Sequence, residues 1–294
     1  MVESIAGHSI HPLSQLIPYT GHAPTRMTKL GKLAVKRENG CVAHPLISAV
    51  NNVRTVSDTK RAFYTIHTRP INSIYRRVVE ELMVEMHLLA VNVDFRYDPI
   101  YALGVVTSFN RFMQGYRPEQ DIASIFDGLC KALQDDPDRY RADAERLEAL
   151  AKRLSPQEMI HWLELSSPAM DSADLQDQVR AIAHNPKFKY SRLFAIGLFT
   201  LLELSAPDLV KDEARRTEAL KQISASLKLP EEKIQKDLEL YRSNLEKMAQ
   251  ARIVMEDALK AERKKREERE KAKTATLANP SDPSESKGEA PSES

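Results

Sequence analysis

Between residues 71 and 93 the apolar positions fall at Ile71, Ile74, Tyr75, Val78, Leu82, Met86, Leu89 and Val93. Steps of three and four make these one stripe of an amphipathic helix. Pro70 precedes the stripe and suits a first helical turn, where its missing N–H costs nothing. A second helix is predicted to restart at Asp98-Pro99, a capping acid followed by proline, and to stop at Gly115. Between those signals the chain is apolar on nearly every side, which predicts burial. The two helices are expected to form a hydrophobic hairpin against which the others pack.

The same signals recur on both sides of that pair. Upstream, Ser57 and Asp58 are predicted to cap a helix over 59–67 with Ala62, Phe63 and Ile66 turned inward. Downstream of Arg117-Pro118, one face collects Ile122, Ile125, Phe126, Leu129 and Leu133. Asp136-Pro137 repeats the acid–proline start, and Tyr140, Ala144, Leu147, Ala151 and Leu154 carry the next stripe. Ser155-Pro156-Gln157-Glu158 is a capping box with proline at the first helical position. It opens a short helix bearing Trp162, the only tryptophan, as a core or edge anchor. A modest helix with Leu175, Val179 and Ile182 lies between loops at 166–172 and 184–189. Residues 189–204, KYSRLFAIGLFTLLEL, predict a second helix that is apolar all round and packs on the hairpin. Ala206-Pro207-Asp208 then opens one charged amphipathic helix, which Leu229-Pro230 ends.

From Pro230 the period changes. Ile234, Leu238, Tyr241, Leu245, Met248, Arg252, Met255 and Leu259 alternate steps of four and three without a slip. A 3.5-residue period over more than three heptads is the coiled-coil signature, with Arg252 as the polar member that can set register or partner choice. Two readings fit it: a coiled coil that is free or pairs with another molecule, and a long helix docked on its own domain. Under the first, these eight residues are the candidate interaction seam, and charges at Leu238 and Leu245 weaken partner capture while the body stays folded. Beyond Leu259, residues 260–273 hold eight basic and four acidic side chains, a local net of +4. That charge pattern suits a solvated helical extension or a contact with anionic lipid or an acidic partner.

The predicted organisation is all-α: a disordered extension over 1–50, a helical core domain over 51–229, the long helix with its basic extension over 230–273, and a disordered tail over 274–294. The first 49 residues show no stripe or alternation, and scattered Pro and Gly. His8, His11, His22 and His44 lie there at irregular spacings with no carboxylate or thiol cluster, a poor pattern for a metal site. Organised sequence begins near Val50, and two readings of the preceding stretch stand beside disorder: a misplaced start, with the natural one at Val50 and not at Met1, and a transit segment carrying Arg26, Lys29, Lys32, Lys36 and Arg37.

Composition narrows the class further. The 9 glycines in 294 residues and the near absence of period-2 alternation argue against sheet. A net charge of +1 predicts no nucleic-acid partner for the whole chain. Cys41 and Cys130 form neither a disulfide framework nor a zinc site, which suits a reducing compartment. The apolar uncharged runs 99–110 and 193–202 fall short of the roughly 20 residues a spanning helix needs.

The chain carries few signs of reactive chemistry. No P-loop, GxGxxG, HExxH, GxSxG or paired CxxC occurs. A di-iron bundle needs two Glu-x-x-His pairs, and the chain has one, Glu158–His161, in which Glu158 has a capping duty. No catalytic, cofactor-binding or metal-binding residue is therefore assigned. Glu85 is the informative acid, because it falls inside the stripe with Ile74, Val78 and Leu82. A buried carboxylate is costly unless paired. An ion pair with Arg96, Arg111 or Arg192 is the preferred reading over a proton-handling group, since no second carboxylate or histidine converges. His87 is expected to be exposed or at an edge.

Four blocks then carry a resemblance: VSDTKRAFYTIHTRPINSIYRRVVEELMVEMHLL, FRYDPIYALGVVTSFNRFMQGYRPE, KYSRLFAIGLFTLLEL and DLELYRSNLEKMAQARIVMED. Together, over roughly 51–260, they closely resemble the thylakoid formation protein family of cyanobacteria and chloroplasts, also called the photosystem II biogenesis protein. The first 50 residues have no counterpart in typical cyanobacterial members, and the tail lacks the extension of plant members, which points to a cyanobacterial member. The resemblance implies an all-helical, non-enzymatic accessory factor for photosystem II assembly and repair. It also implies a link to an FtsH-type membrane protease as partner, and a peripheral place on the cytoplasmic side of the thylakoid or plasma membrane beside a soluble pool, or in the chloroplast of a plant. A peripheral lipid-binding protein that shapes photosynthetic membranes is the second function considered.

Overall fold

The computed structural model describes residues 54–166 and 173–278, and every regular element among them is an α-helix. The sequence expectations for 1–50, for Cys41, for the 167–172 loop and for the tail beyond Ala278 lie outside the described residues.

Helix α1 (Val56–Ile66) is capped by Thr55, whose hydroxyl accepts from the Asp58 N–H while the Asp58 carboxylate accepts from the Thr55 N–H. The cap thus lies upstream of the predicted Ser57 and Asp58, because Asp58 serves as the third helical residue of a capping box. Phe63 is buried as expected, but Ile66 at the helix end is exposed. Helix α2 (Ser73–Ala90) is capped by Asn72, which accepts from the Ile74 N–H, so Pro70 lies outside it. The helix stops before the stripe does, and this leaves Val93 83% exposed.

Helix α3 (Pro99–Phe112) starts at the predicted Asp98-Pro99 signal, and Gly115 beyond its end takes φ +78°. Then come α4 (Gln120–Ala132) and α5 (Pro137–Arg153), the second capped by Asp136. They are followed by α6 (Pro156–Leu163), opened by the Ser155–Glu158 capping box, and α7 (Ala173–His184). Trp162 is a core residue. Helix α8 (Arg192–Ser205) is capped by Ser191. The single charged helix expected next is two: α9 (Pro207–Lys211) and α10 (Glu213–Leu227). Asp212 separates them in an extended conformation, its side chain accepting from the Arg215 N–H as a fresh cap. Helix α11 (Glu231–Ala278) is 48 residues long and continues past the predicted end of the basic extension at Lys273.

The expected central hairpin of α2 and α3 is not the centre. The closest partner of α3 is α8, from the other half of the chain, and α2 packs on their flank. Helices α3 and α8 are buried almost throughout. They meet at Gly104 and Gly197: a Cβ on Gly104 would overlap the Leu193 carbonyl, and one on Gly197 would overlap the Ile100 carbonyl. Those virtual carbons would also lie 2.9 Å from the Gly197 nitrogen and 3.0 Å from the Gly104 nitrogen. The backbones therefore touch at this crossing. Helix α5 packs against both members of the pair, while α6 and α11 add to the α8 side and α1 pairs with α4.

Burial of α3 includes its cap. Asp98 accepts from the Tyr101 N–H at 2.8 Å. Even so, burial away from water pushes its carboxyl pKa up to about 7, against the lowering effect of the backbone N–H groups of Tyr101 and Ile100. The folded state thus holds this proton more tightly than the unfolded chain. The stability it contributes is full below the ordinary carboxylate range and is lost as pH rises through about 7.

Two outcomes are expected. Gly104→Ala and Gly197→Ala should each lower stability by about 3 kcal/mol or more, because overpacking against backbone cannot be relieved by a rotamer. Urea denaturation checks this, and losses under about 1 kcal/mol, ordinary for a surface change, would contradict the backbone contact. Asp98→Asn keeps a cap acceptor without the charge. Between pH 5 and pH 8 the native protein should lose stability relative to this variant, by an amount on the order of a few kcal/mol. Parallel urea midpoints at the two pH values would disprove it.

Candidate functional site

Helix α11 divides into a docked half and a free half. Ile234, Leu238, Tyr241 and Met248 are buried in the chain's own core, and Leu245 and Met255 pack half-buried against it. Leu238 is only 4% exposed, which makes it a core residue and corrects the expectation that a charge there would spare the body. The docked-helix reading thus holds for the seam as far as Met255. Arg252, its polar member, donates from Nη1 to the Gln114 carbonyl at 2.9 Å. Tyr75 OH donates to the same oxygen at 3.1 Å. Together they satisfy a carbonyl left open where α3 has ended. Leu259, the last seam residue, is 49% exposed.

From Glu256 to Thr274 every residue is exposed. Residues 256–278 amount to an arm about 35 Å long at 1.5 Å rise per residue. Arg266 donates to Glu270 at 3.2 Å and Lys260 lies 3.8 Å from Asp257, pairs that support a solvated helix.

Glu85 makes the expected interhelical ion pair, and of the three arginines considered the partner is Arg192, at 2.5 Å. Arg111 binds Glu203 instead, and Arg96 donates to the Val93 and Phe95 carbonyls. Burial raises the Glu85 carboxyl above the ordinary range, outweighing the opposing pull of Arg192. His87, expected at an edge, is buried because α1 covers that side of α2, and its Nδ1 lies 2.9 Å from the Thr59 hydroxyl. Glu158 accepts from the Ser155 N–H while His161 is exposed, so this pair serves the cap. Among the described residues no three His, Cys, Asp or Glu side chains converge as metal ligands. Burial pushes the Cys130 thiol up, which keeps it from forming a reactive thiolate.

Between α2 and α11 runs a groove of about 530 Å³, floored by α3 and α8. Ile74, Val78, Leu82 and Met248 line it, and the Glu85–Arg192 pair belongs to its wall. Sequence reasoning missed this groove, since its lining comes from four helices, α2, α3, α8 and α11, that lie far apart in the chain. Ser108, a buried hydroxyl beside Thr107 within the apolar run of α3, was an available signal.

A family model described as thylakoid formation protein matches residues 55–270. The chain belongs to the thylakoid formation protein family. A relative from Nostoc punctiforme, named Thf1, is 66% identical over 216 residues, 74% of this chain and 92% of its own. Thf1 from Acaryochloris marina is 60% identical over 216 residues, 74% of this chain and 87% of its own. A solved structure of Psb29 superposes with a TM-score of 0.64 at 46% identity, covering 72% of this chain and 98% of that one. Among the described residues of this family member no helix is long and apolar enough to cross a membrane.

The division of α11 sets an expected contrast within the seam of this thylakoid formation protein. Leu238→Glu should cost roughly 3 kcal/mol or more, as an unpaired charge enters the core. Leu259→Glu should stay within about 0.5 kcal/mol, as surface changes do. Thermal or urea unfolding of the two variants reads this directly, and similar losses would contradict the docked and free halves.

Proposed function

We propose that this protein is a non-enzymatic accessory factor for photosystem II biogenesis and repair that binds and stabilises an FtsH-type membrane protease. Membership of the thylakoid formation family supports the first part. The observation that carries the second is the arm of α11. A helix whose first half is anchored in the core carries beyond it a basic run, 260–273, that is exposed at every residue. Such an arm contributes nothing to the core, and its charge offers electrostatic steering toward an acidic surface on a partner. Peripheral attachment at the cytoplasmic side of the photosynthetic membrane follows from that partner.

A second reading rests on the same charge. The local net of +4 over 260–273 could place the arm on anionic lipid. Removing 260–273 separates the two. Under the protease reading, the deletion leaves unfolding within about 0.5 kcal/mol, lowers recovery of the protease with the tagged protein at least several-fold, and raises sensitivity to strong light. Unchanged protease recovery and unchanged light tolerance reject it. Flotation with anionic vesicles that is lost on deletion, beside intact protease recovery, favours the lipid reading.

A further inference from the structure

The groove between α2 and α11 has the features of a built binding site, independent of the protease reading. Its volume of about 530 Å³ lies within the range of small-molecule pockets. The register of its walls follows from two contacts. Asn72 meets Met255 at one end, while Glu85 and Asp237 interact near the other. Helix α11 therefore runs antiparallel to α2, and the groove follows α2 from Ile74 to Glu85, roughly 16 Å at helical rise.

Along that length the chemistry is divided. The Ile74 end is apolar, with Val78, Phe112, Met248 and Ala251 around it. Its floor and its α11 wall carry two hydroxyls that neighbour each other, Ser108 and Tyr241, and neither makes a well-formed hydrogen bond. Both residues are only 2% exposed, and both line the groove. Arg111 lies beside Tyr241 but is bound to Glu203. A buried hydroxyl without a partner is costly, and an oxygen supplied by a ligand would satisfy both donors at once.

We propose that this groove binds a single-chain amphiphile, its acyl chain lying along Ile74, Val78 and Leu82 and its uncharged oxygen head accepting from Ser108 and Tyr241. The head is uncharged because no unneutralised cation reaches the floor. Arg192 is paired with Glu85, Arg111 with Glu203 and Arg77 with Glu81. Lys247 lines the groove too, but it is exposed at the rim. A buried anionic head would therefore be unpaired.

Isothermal titration of the full chain with 1-monolauroylglycerol, kept below its aggregation limit, tests this. Laurate at pH 8 and free glycerol serve as the comparison ligands. We expect one saturable site for the monoacylglycerol, weaker binding of laurate and none of glycerol. Val78→Trp, which fills the groove, should abolish binding. Ser108→Ala should weaken it roughly three- to tenfold, the worth of a hydrogen bond, without lowering the urea midpoint. The absence of saturable binding overturns the proposal, as does binding only above the aggregation limit. Laurate affinity equal to or above that of the monoacylglycerol overturns it as well. If Val78→Trp fails to fold, Ser108→Ala alone decides, and unchanged affinity there rejects the assigned head site.

Discussion

The backbone contact between α3 and α8 at Gly104 and Gly197 is the constraint on which the remaining architecture depends. No side chain separates the two helices there, so neither can rotate or slide without a carbonyl striking the other backbone. Small residues at a crossing let long runs of Leu, Ile, Val and Phe on either side interdigitate closely, and dense packing is what makes burial effective. The price of that closeness is that both helices are enclosed on nearly every side and must satisfy their polar groups internally. Thr200 returns its hydroxyl to the Ile196 carbonyl, and Ser191 accepts from the Phe194 N–H as a buried cap. Asp98 caps α3 in the same way and bears the desolvation that raises its pKa.

Enclosure of a central pair also explains where the other helices lie. Helix α5 covers both members with an apolar stripe from Tyr140 to Ala151, and the Tyr97, Tyr101 and Tyr140 rings meet edge to face at that junction. On the opposite flank α2 and the docked half of α11 lie side by side without closing over the floor, which leaves the groove. The Glu85–Arg192 pair bridges α2 to the start of α8 across this gap. Its burial weakens it as a source of stability, because desolvation opposes the Coulomb attraction. Its more secure role is to fix the orientation of α2 relative to the central pair.

Legibility in the sequence followed the range of the interaction involved. Caps are local, so Asp98-Pro99, Asp136-Pro137 and Ser155 with Glu158 located their helix starts correctly. Thr55 was missed because Ser57 and Asp58 offered equally good capping chemistry nearby. Periodicity placed the stripes, but it overran where helices stop early, and Ile66 and Val93 were assigned inward from spacing alone. His87 illustrates a different failure. Its position on the polar side of α2 was read correctly, yet α1 covers that side and supplies Thr59 as a partner. Pairing across long sequence separations had no local trace. Nothing within α3 announced that its nearest neighbour would be α8 and not α2, although a glycine in each apolar run was visible. The groove is harder still, since it arises from the failure of two flanking helices to meet.

The long helix shows where a correct pattern underdetermines a structure. A 3.5-residue repeat says only that one narrow face is apolar; a second copy, another protein or the chain's own body can cover it equally well. What decides between them is the shape of the surface opposite. Here the flank of α8, with Phe112 and Arg111 from α3, offers a complementary face to Ile234, Leu238 and Tyr241, and being in the same chain it is present at high effective concentration. Near the end of that face, one turn before Met255, Arg252 is a polar member of the stripe that meets an open carbonyl at Gln114 and not another apolar side chain. Beyond it the body recedes, the apolar positions thin out and charge takes over. The helix is therefore held at one end by packing and continues at the other by its own local pairs, an arrangement that orients an exposed surface without requiring that surface to contribute to the fold.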